Sequence, residues 1–234
     1  MTFQEEYTTT IQPEVDTLVH EVAAALSTKR DIANYNKGWR VFFGPIMSQP
    51  KVLIIGINPG NGQPGVVDIA LWEDEEVFEY TNPEYNFALA RETRSVFTEA
   101  GLLDVLTTAT VKTNYYFLST TKERDLYKIT DSLGRTLQHE EEALGDKFFR
   151  KSAEWTKRLI ELLEPQVILC EGKVAYENVI DLFPQHGEQT WENHCGFTAL
   201  PDQGLTVVGY SRRWSNIKDK PGLARLLRRF VSPR

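Results

Sequence analysis

The run VLIIGI, residues 52–57, constrains this chain more than any other segment. Every side chain in it is apolar or absent, so neither face can meet water, and a strand of this kind must be covered on both sides. Further strands are read from TATVKTNYYF (108–117), QVILCEG (166–172) and GLTVVG (204–209). Helical spacing fills the intervals. Val15, Leu18, Val19, Val22 and Leu26 recur behind Pro13, and ALARETRSVFTEA (88–100) is closed by Gly101. Trp155, Leu159, Leu162 and Leu163 follow the same period up to Pro165, and Tyr176, Val179, Ile180 and Phe183 resume it. Leu223, Leu226, Leu227 and Phe230 mark a last helix. Strand alternating with helix predicts an α/β fold with a central, mostly parallel sheet of four strands and helices on both faces, a three-layer α/β/α arrangement.

A chain of 234 residues, 41% of them hydrophobic, can bury one substantial core. The expected organisation is a single domain over 1–234, with residues 1–45 as a helical amino-terminal extension packed on it. Cys170 and Cys195 are too few for a zinc site or a cluster, and neither a metal nor a cofactor is expected. No apolar run reaches the ~20 residues of a bilayer span, and MTFQEEYTTT lacks the basic and then apolar pattern of a signal peptide. A monomeric, cytoplasmic protein without membrane contact is the expectation. Charge is unevenly spread: Arg212 to Arg234 holds eight Lys/Arg and one acid, a local +7, which leaves −14 for the rest of a chain whose net charge is −7. Such a terminal stretch suits phosphate, though a solvated helix face has the same composition.

In parallel sheets, function collects beyond the carboxyl ends of the strands, here in the loops 56–65, 113–121 and 209–216. The first loop contains G-x-G-x-x-G at Gly60, Gly62 and Gly65, the spacing of a dinucleotide fingerprint. Pro59 and Pro64 stand before its first and third glycines, and VVDIALWEDEEVFEY supplies no second strand ending in an acid, so that reading is rejected. A P-loop fails because no Lys-Ser or Lys-Thr follows. What remains is a strand that delivers one polar side chain, Asn58, between Gly56 and Pro59-Gly60. Proline fixes the backbone there and glycine allows a ligand close approach.

GINPG at 56–60, following an apolar strand, resembles the first active-site motif of the uracil-DNA glycosylase superfamily, in the form found in mismatch-specific and single-strand-selective enzymes. SVFTEAGL (95–102) is similar to the helix after that motif, and KTNYYF (112–117) to the strand end whose asparagine reads the base. PQVILCEGKVAYENV (165–179) is similar to the third strand and helix, and VVGYSRRWSN (207–216) occupies the place of the last motif. That last slot usually reads His-Pro-Ser or Asn-Pro-Ser, whereas this chain has Gly209-Tyr210-Ser211.

The resemblance implies a DNA glycosylase acting on uracil or a related damaged base in DNA, in base excision repair, without metal or cofactor. Asn58, with Gly56 and Pro59 framing it, would orient the attacking water, since an amide both donates and accepts hydrogen bonds. Asn114 would read the base edge, beside Gly60. The flipped base would stack on Phe87 or Tyr85. Ser211, Arg212, Arg213 and Ser215 would contact DNA phosphates, and Trp214 would enter the vacated stack. Gly209 lacks the side chain that, in members with histidine there, stabilises the departing base, which implies weak, redirected or absent activity. Two other functions remain open: a non-catalytic nucleic-acid or base-binding module of the same fold, and a nucleoside-hydrolysing small-molecule enzyme. Steep salt dependence would separate the DNA readings from the last.

Overall fold

The computed structural model describes residues 3–60, 78–82, 86–136 and 141–231. Tyr85, Gly62 and Gly65 therefore lie outside the described residues. In chain order, α1 (Phe3–Glu6), a π-helical turn (Tyr7–Ile11), α2 (Gln12–Leu26) and α3 (Arg30–Ala33) precede β1 (Val52–Gly56). Then come α4 (Ala88–Ala100), α5 (Leu103–Thr108), β2 (Thr110–Asn114), α6 (Glu123–Ser132), α7 (Leu144–Leu163), β3 (Val167–Cys170) and α8 (Lys173–Asp181). The chain finishes through β4 (Thr190–Glu192), β5 (Cys195–Leu200), β6 (Leu205–Tyr210), β7 (Arg212–Arg213), β8 (Asn216–Ile217) and α9 (Lys220–Phe230).

The chain divides into two compact units, and the described residues of the first are 3–41, 58–60, 114–136 and 141–159. The amino-terminal helices, read from the sequence as an extension, belong to this unit together with α6 and most of α7. Val15, Leu18, Val19, Val22 and Leu26 are all buried on α2, as their period requires. Ion pairs join α2 and α1 to α7 in reversed order: Lys147 to Glu21 at 2.6 Å, Lys151 to Glu14 at 3.0 Å and Arg158 to Glu6 of α1 at 3.0 Å. Helices α2 and α7 therefore run antiparallel. The Trp155 indole N–H also donates to Glu14 at 2.8 Å.

The second unit, residues 42–57, 78–82, 86–113 and 160–231 where described, contains the sheet, in the order β2-β1-β3-β6-β5-β4. Strands β1, β3 and β6 are parallel, with Val52 opposite Val167 and Cys170 opposite Gly209. Strand β5 runs antiparallel to β6, and β4 to β5. The sheet is thus α/β and mostly parallel as expected, but it has six strands and not four. The extra pair is a hairpin whose two-residue turn, Asn193-His194, holds Asn193 at φ 51°, the left-handed conformation that asparagine tolerates. Gly196 broke the alternation that would have identified β5.

Alternate residues divide between the two faces. Val52, Ile54, Val167, Leu169, Val208 and Tyr210 share a core with Val96 and Phe97 of α4 and with Leu223 and Leu227 of α9. On the opposite face, α8 lays Tyr176 over Gly209 of β6. Gly101 closes α4 at φ 73°, and the Arg228 guanidinium donates to the terminal carbonyls of Glu99 at 2.6 Å and Ala100 at 3.3 Å.

Burial pushes the Glu14 carboxyl upward, but hydrogen bonds from Trp155 and Lys151 outweigh it and hold the group below the usual glutamate range. A depressed carboxylate contributes stability above its unfolded value and loses it as pH falls through its folded value. Because Glu14 is partly exposed, the effect should stay below about 1 kcal/mol. Thermal melting from neutral pH into the acid range should show Glu14→Gln less stable than wild type near neutrality, with the difference vanishing in acid.

Candidate functional site

In the first unit the candidate site residue is Asn58, two residues beyond β1 and half-buried. Its Nδ2 donates to Thr120 Oγ1 at 2.8 Å, to the Pro59 carbonyl at 3.2 Å and to the Leu118 carbonyl at 3.5 Å. Two of those partners only accept, so the amide nitrogen must face them and the orientation of the group is set. Thr120 donates its own hydroxyl proton to the Lys122 carbonyl at 2.8 Å, which leaves an oxygen lone pair for Asn58. The Pro59 carbonyl is further held by the Ser119 hydroxyl at 3.1 Å and the Thr120 amide at 3.0 Å. No described residue donates to Asn58 Oδ1. The side chain is anchored by its nitrogen and presents its carbonyl oxygen as an acceptor.

This anchoring depends on a loop that is itself buried. Residues 115–120 lie beneath the surface, and a buried loop must find main-chain partners. Segment 37–40 supplies them: Lys37 N donates to Ser119 O, Ser119 N to Gly38 O and Arg40 N to Phe117 O, at 2.8 to 2.9 Å. Asn114, the last residue of β2, ends its strand as read and is 3% exposed. Sequence reading passed over Ser119 and Thr120. The signal available was a polar Ser-Thr-Thr directly after the apolar YYFL in a loop already singled out.

In the second unit an ionic cluster was also missed. Lys112 of β2 is 8% exposed and Glu171, directly after β3, is 4% exposed. The Lys112 ammonium pairs with Glu79, stands 3.8 Å from Glu171 Oε2, and lies over the rings of Tyr80 at 4.2 Å and Phe43 at 4.7 Å. The Tyr80 hydroxyl donates to Glu171 Oε1 at 2.5 Å. Burial, and then the charge of Glu171, hold the Tyr80 hydroxyl well above its usual range, so Tyr80 stays a donor. The same causes, in the same order, raise Tyr210 at the end of β6. Burying ions costs several kcal/mol each, so this cluster is a poor means of stabilising a sheet. A lysine in the middle of the second strand and a glutamate directly after the apolar run VILC were its sequence signal.

Phe87, just before α4, is 41% exposed, with its ring edge-on to Tyr80 at 5.6 Å. Gly56 ends β1 in a buried position, while Gly60 is exposed with open space where a side chain would stand. Strands β7 and β8 form a small hairpin, Arg212 opposite Ile217 and Arg213 opposite Asn216, with Trp214 and Ser215 at its tip. Trp214 is 82% exposed and adopts φ 58°, an unusual conformation for a bulky side chain. Ser211 and Ser215 are half-buried, and the Ser211 amide donates to the His194 carbonyl at 2.6 Å.

Much of the basic carboxyl-terminal stretch is engaged within the molecule. The Arg212 guanidinium donates to the carbonyls of Glu171 and Trp214, each at 3.2 Å. Lys220 pairs with Glu92 at 2.8 Å, Arg228 caps α4, and Arg229 lies over the rings of Phe197 and Phe230. Arg213, Lys218 and Arg225 remain exposed. Gly209, in the slot where the resembled motif has histidine or asparagine, does not have a left-handed backbone. A Cβ there would nonetheless stand 2.5 Å from the Tyr176 ring, so the helix, and not the strand's conformation, excludes an imidazole.

Neither a family model nor a curated protein matches this chain. Among the described residues no group of three or more His, Cys, Asp or Glu is placed to hold a metal ion. No helix among them is long and apolar enough to cross a membrane.

Two measurements follow from this geometry. Gly209→His should destabilise the second unit by at least about 1–3 kcal/mol, read as a lower urea midpoint, and adding Tyr176→Ala should restore part of it. If the protein binds DNA, Arg213→Ala should flatten the salt dependence of binding by about one unit, because Arg213 is exposed while Arg212 is held to the main chain.

Proposed function

We propose that this protein is a DNA glycosylase of the three-layer uracil-DNA glycosylase type, hydrolysing the N-glycosidic bond of uracil or a related damaged base. The observation that carries the reading is the tethered amide of Asn58. Hydrolysis passes through an oxocarbenium-like state and needs a water held on the sugar. An amide is no general base, but one whose nitrogen is occupied by Thr120, Pro59 and Leu118 can direct its Oδ1 to a water hydrogen and align the water oxygen with the anomeric carbon. The water oxygen bonds to that carbon, the base leaves with the bonding electrons, and the proton passes to solvent.

Asn114 would donate to uracil O4 and accept from N3–H, a pattern that cytosine reverses. Within the second unit, Phe87 offers an exposed ring for an unpaired base, Trp214 an exposed ring at a hairpin tip, and Arg213 an exposed cation for phosphate.

A second reading, a binding module that recognises a base without cleaving, is favoured by one observation. The position that stabilises the departing base in the resembled enzymes is a glycine, and Tyr176 leaves it no room for a side chain. Single-turnover excision from oligonucleotides carrying uracil, hypoxanthine or other lesions separates the two. Asn58→Ala should lower the rate by about 10²–10³ with DNA affinity nearly unchanged, since the amide acts on the transition state. Thr120→Val should lower it less, and Thr120→Ser should stay close to wild type. Binding without release of any base by the wild type would favour the module, and full activity in Asn58→Ala would assign the water to another residue.

A further inference from the structure

Within the second unit, two large aromatic side chains stand out into solvent, Phe87 and Trp214, and both trace back to Glu171. Its carboxylate accepts from the Tyr80 hydroxyl at 2.5 Å, and the Tyr80 ring meets Phe87 at 5.6 Å. Its main-chain carbonyl accepts from Arg212 Nε at 3.2 Å, and the same guanidinium donates to the Trp214 carbonyl at 3.2 Å. Tyr80 is also held at its backbone: Arg94 donates to its carbonyl at 2.5 Å and to the Asn86 side chain at 2.6 Å, next to Phe87. A ring that is exposed at 41% has few contacts of its own, so its orientation depends on the fixed group beneath it.

We propose that the Glu171 carboxylate is a positioning group that sets Phe87 through Tyr80, so that Phe87, with the exposed Trp214 ring of the same unit, offers stacking sites for unpaired bases of single-stranded nucleic acid. The proposal rests on the DNA-binding part of the proposed function, and its chemistry is that of base stacking on rigid rings next to an exposed cation, Arg213. It also accounts for the buried charge. Lys112 already has Glu79 as a partner, so Glu171 is not needed to neutralise it. A carboxylate accepts the Tyr80 hydrogen bond more strongly than an amide would, and Lys112 offsets part of the carboxylate's desolvation.

The same arrangement makes the test practicable. Glu171→Gln leaves the Lys112–Glu79 pair intact, so this variant should fold, and urea unfolding would check it. Affinity is read by fluorescence anisotropy with a fluorescein-labelled single-stranded oligonucleotide containing one uracil. Phe87→Ala should weaken binding about tenfold, a typical loss for one stacked base, and Glu171→Gln and Tyr80→Phe should each weaken it about fivefold. In a Phe87→Ala background neither change should cost more than about twofold, because the residues act through the ring that has been removed. The salt slope should be unchanged throughout. Additive losses, or Glu171→Gln binding as tightly as wild type, would overturn the proposal.

A second readout needs no DNA. 4-Fluorophenylalanine incorporated at position 87 should show a shifted or broadened 19F resonance in Glu171→Gln and Tyr80→Phe, and an unchanged resonance in both would also sink the positioning role. If the wild type binds no oligonucleotide while the resonance responds, the strut stands and the nucleic-acid reading of the surface fails.

Discussion

Burial of β1 on both faces is the constraint from which the rest of the second unit follows. Its five residues are fully covered, so their amides and carbonyls have no water and must be paired along the sheet. Pairing to β3 in parallel register, with β6 beyond it, aligns the carboxyl ends of three strands at one edge. Parallel connection requires long crossovers, and helices α4, α8 and α9 meet the faces those strands leave apolar. Glu171, just past β3, and the residues that end the strands, Gly56 and Tyr210, owe their positions to this alignment.

The polar groups at those ends are held in two different ways. Asn58 is oriented by neutral hydrogen bonds to a loop whose main chain is tied to segment 37–40, an inexpensive arrangement that fixes an amide without burying charge. Glu171 and Lys112 are buried ions, and in a low dielectric such groups are tolerated only when each lone pair and proton finds a partner. Tyr80 and Glu79 provide that closure. The difference matters for mutation: loss of a neutral anchor loosens one side chain, whereas loss of one ion's partner leaves a charge stranded.

The carboxyl-terminal basic stretch shows how composition and function can separate. Its local +7 suggested a phosphate-facing patch, yet Arg228 and Arg212 bond to carbonyls, Arg229 stacks on aromatic rings and Lys220 pairs with an acid. An arginine has five N–H donors and a flat face, so it caps a helix or covers an aromatic as readily as it binds an anion. Only the positions of carbonyls and rings in space decide which.

By itself, the sequence determined the alternation of strand and helix, the buried face of α2, the closure of α4 at Gly101 and the loops that hold polar residues, because these depend on periods of two and 3.6 and on the backbone preferences of glycine and proline. It also singled out Asn58 and Asn114, each a polar side chain at the end of an apolar run. The tertiary structure alone decided the rest. Strands β4 and β5 are stable only because β6 is already in place for β5 to pair with, which a short segment interrupted by glycine cannot announce. Thr120 became the partner of Asn58, and Glu171 of Tyr80, across separations of 62 and 91 residues. Tyr176, 33 positions from Gly209, fills the space a side chain there would need. Such contacts are set by packing between elements and leave no periodic trace in the chain.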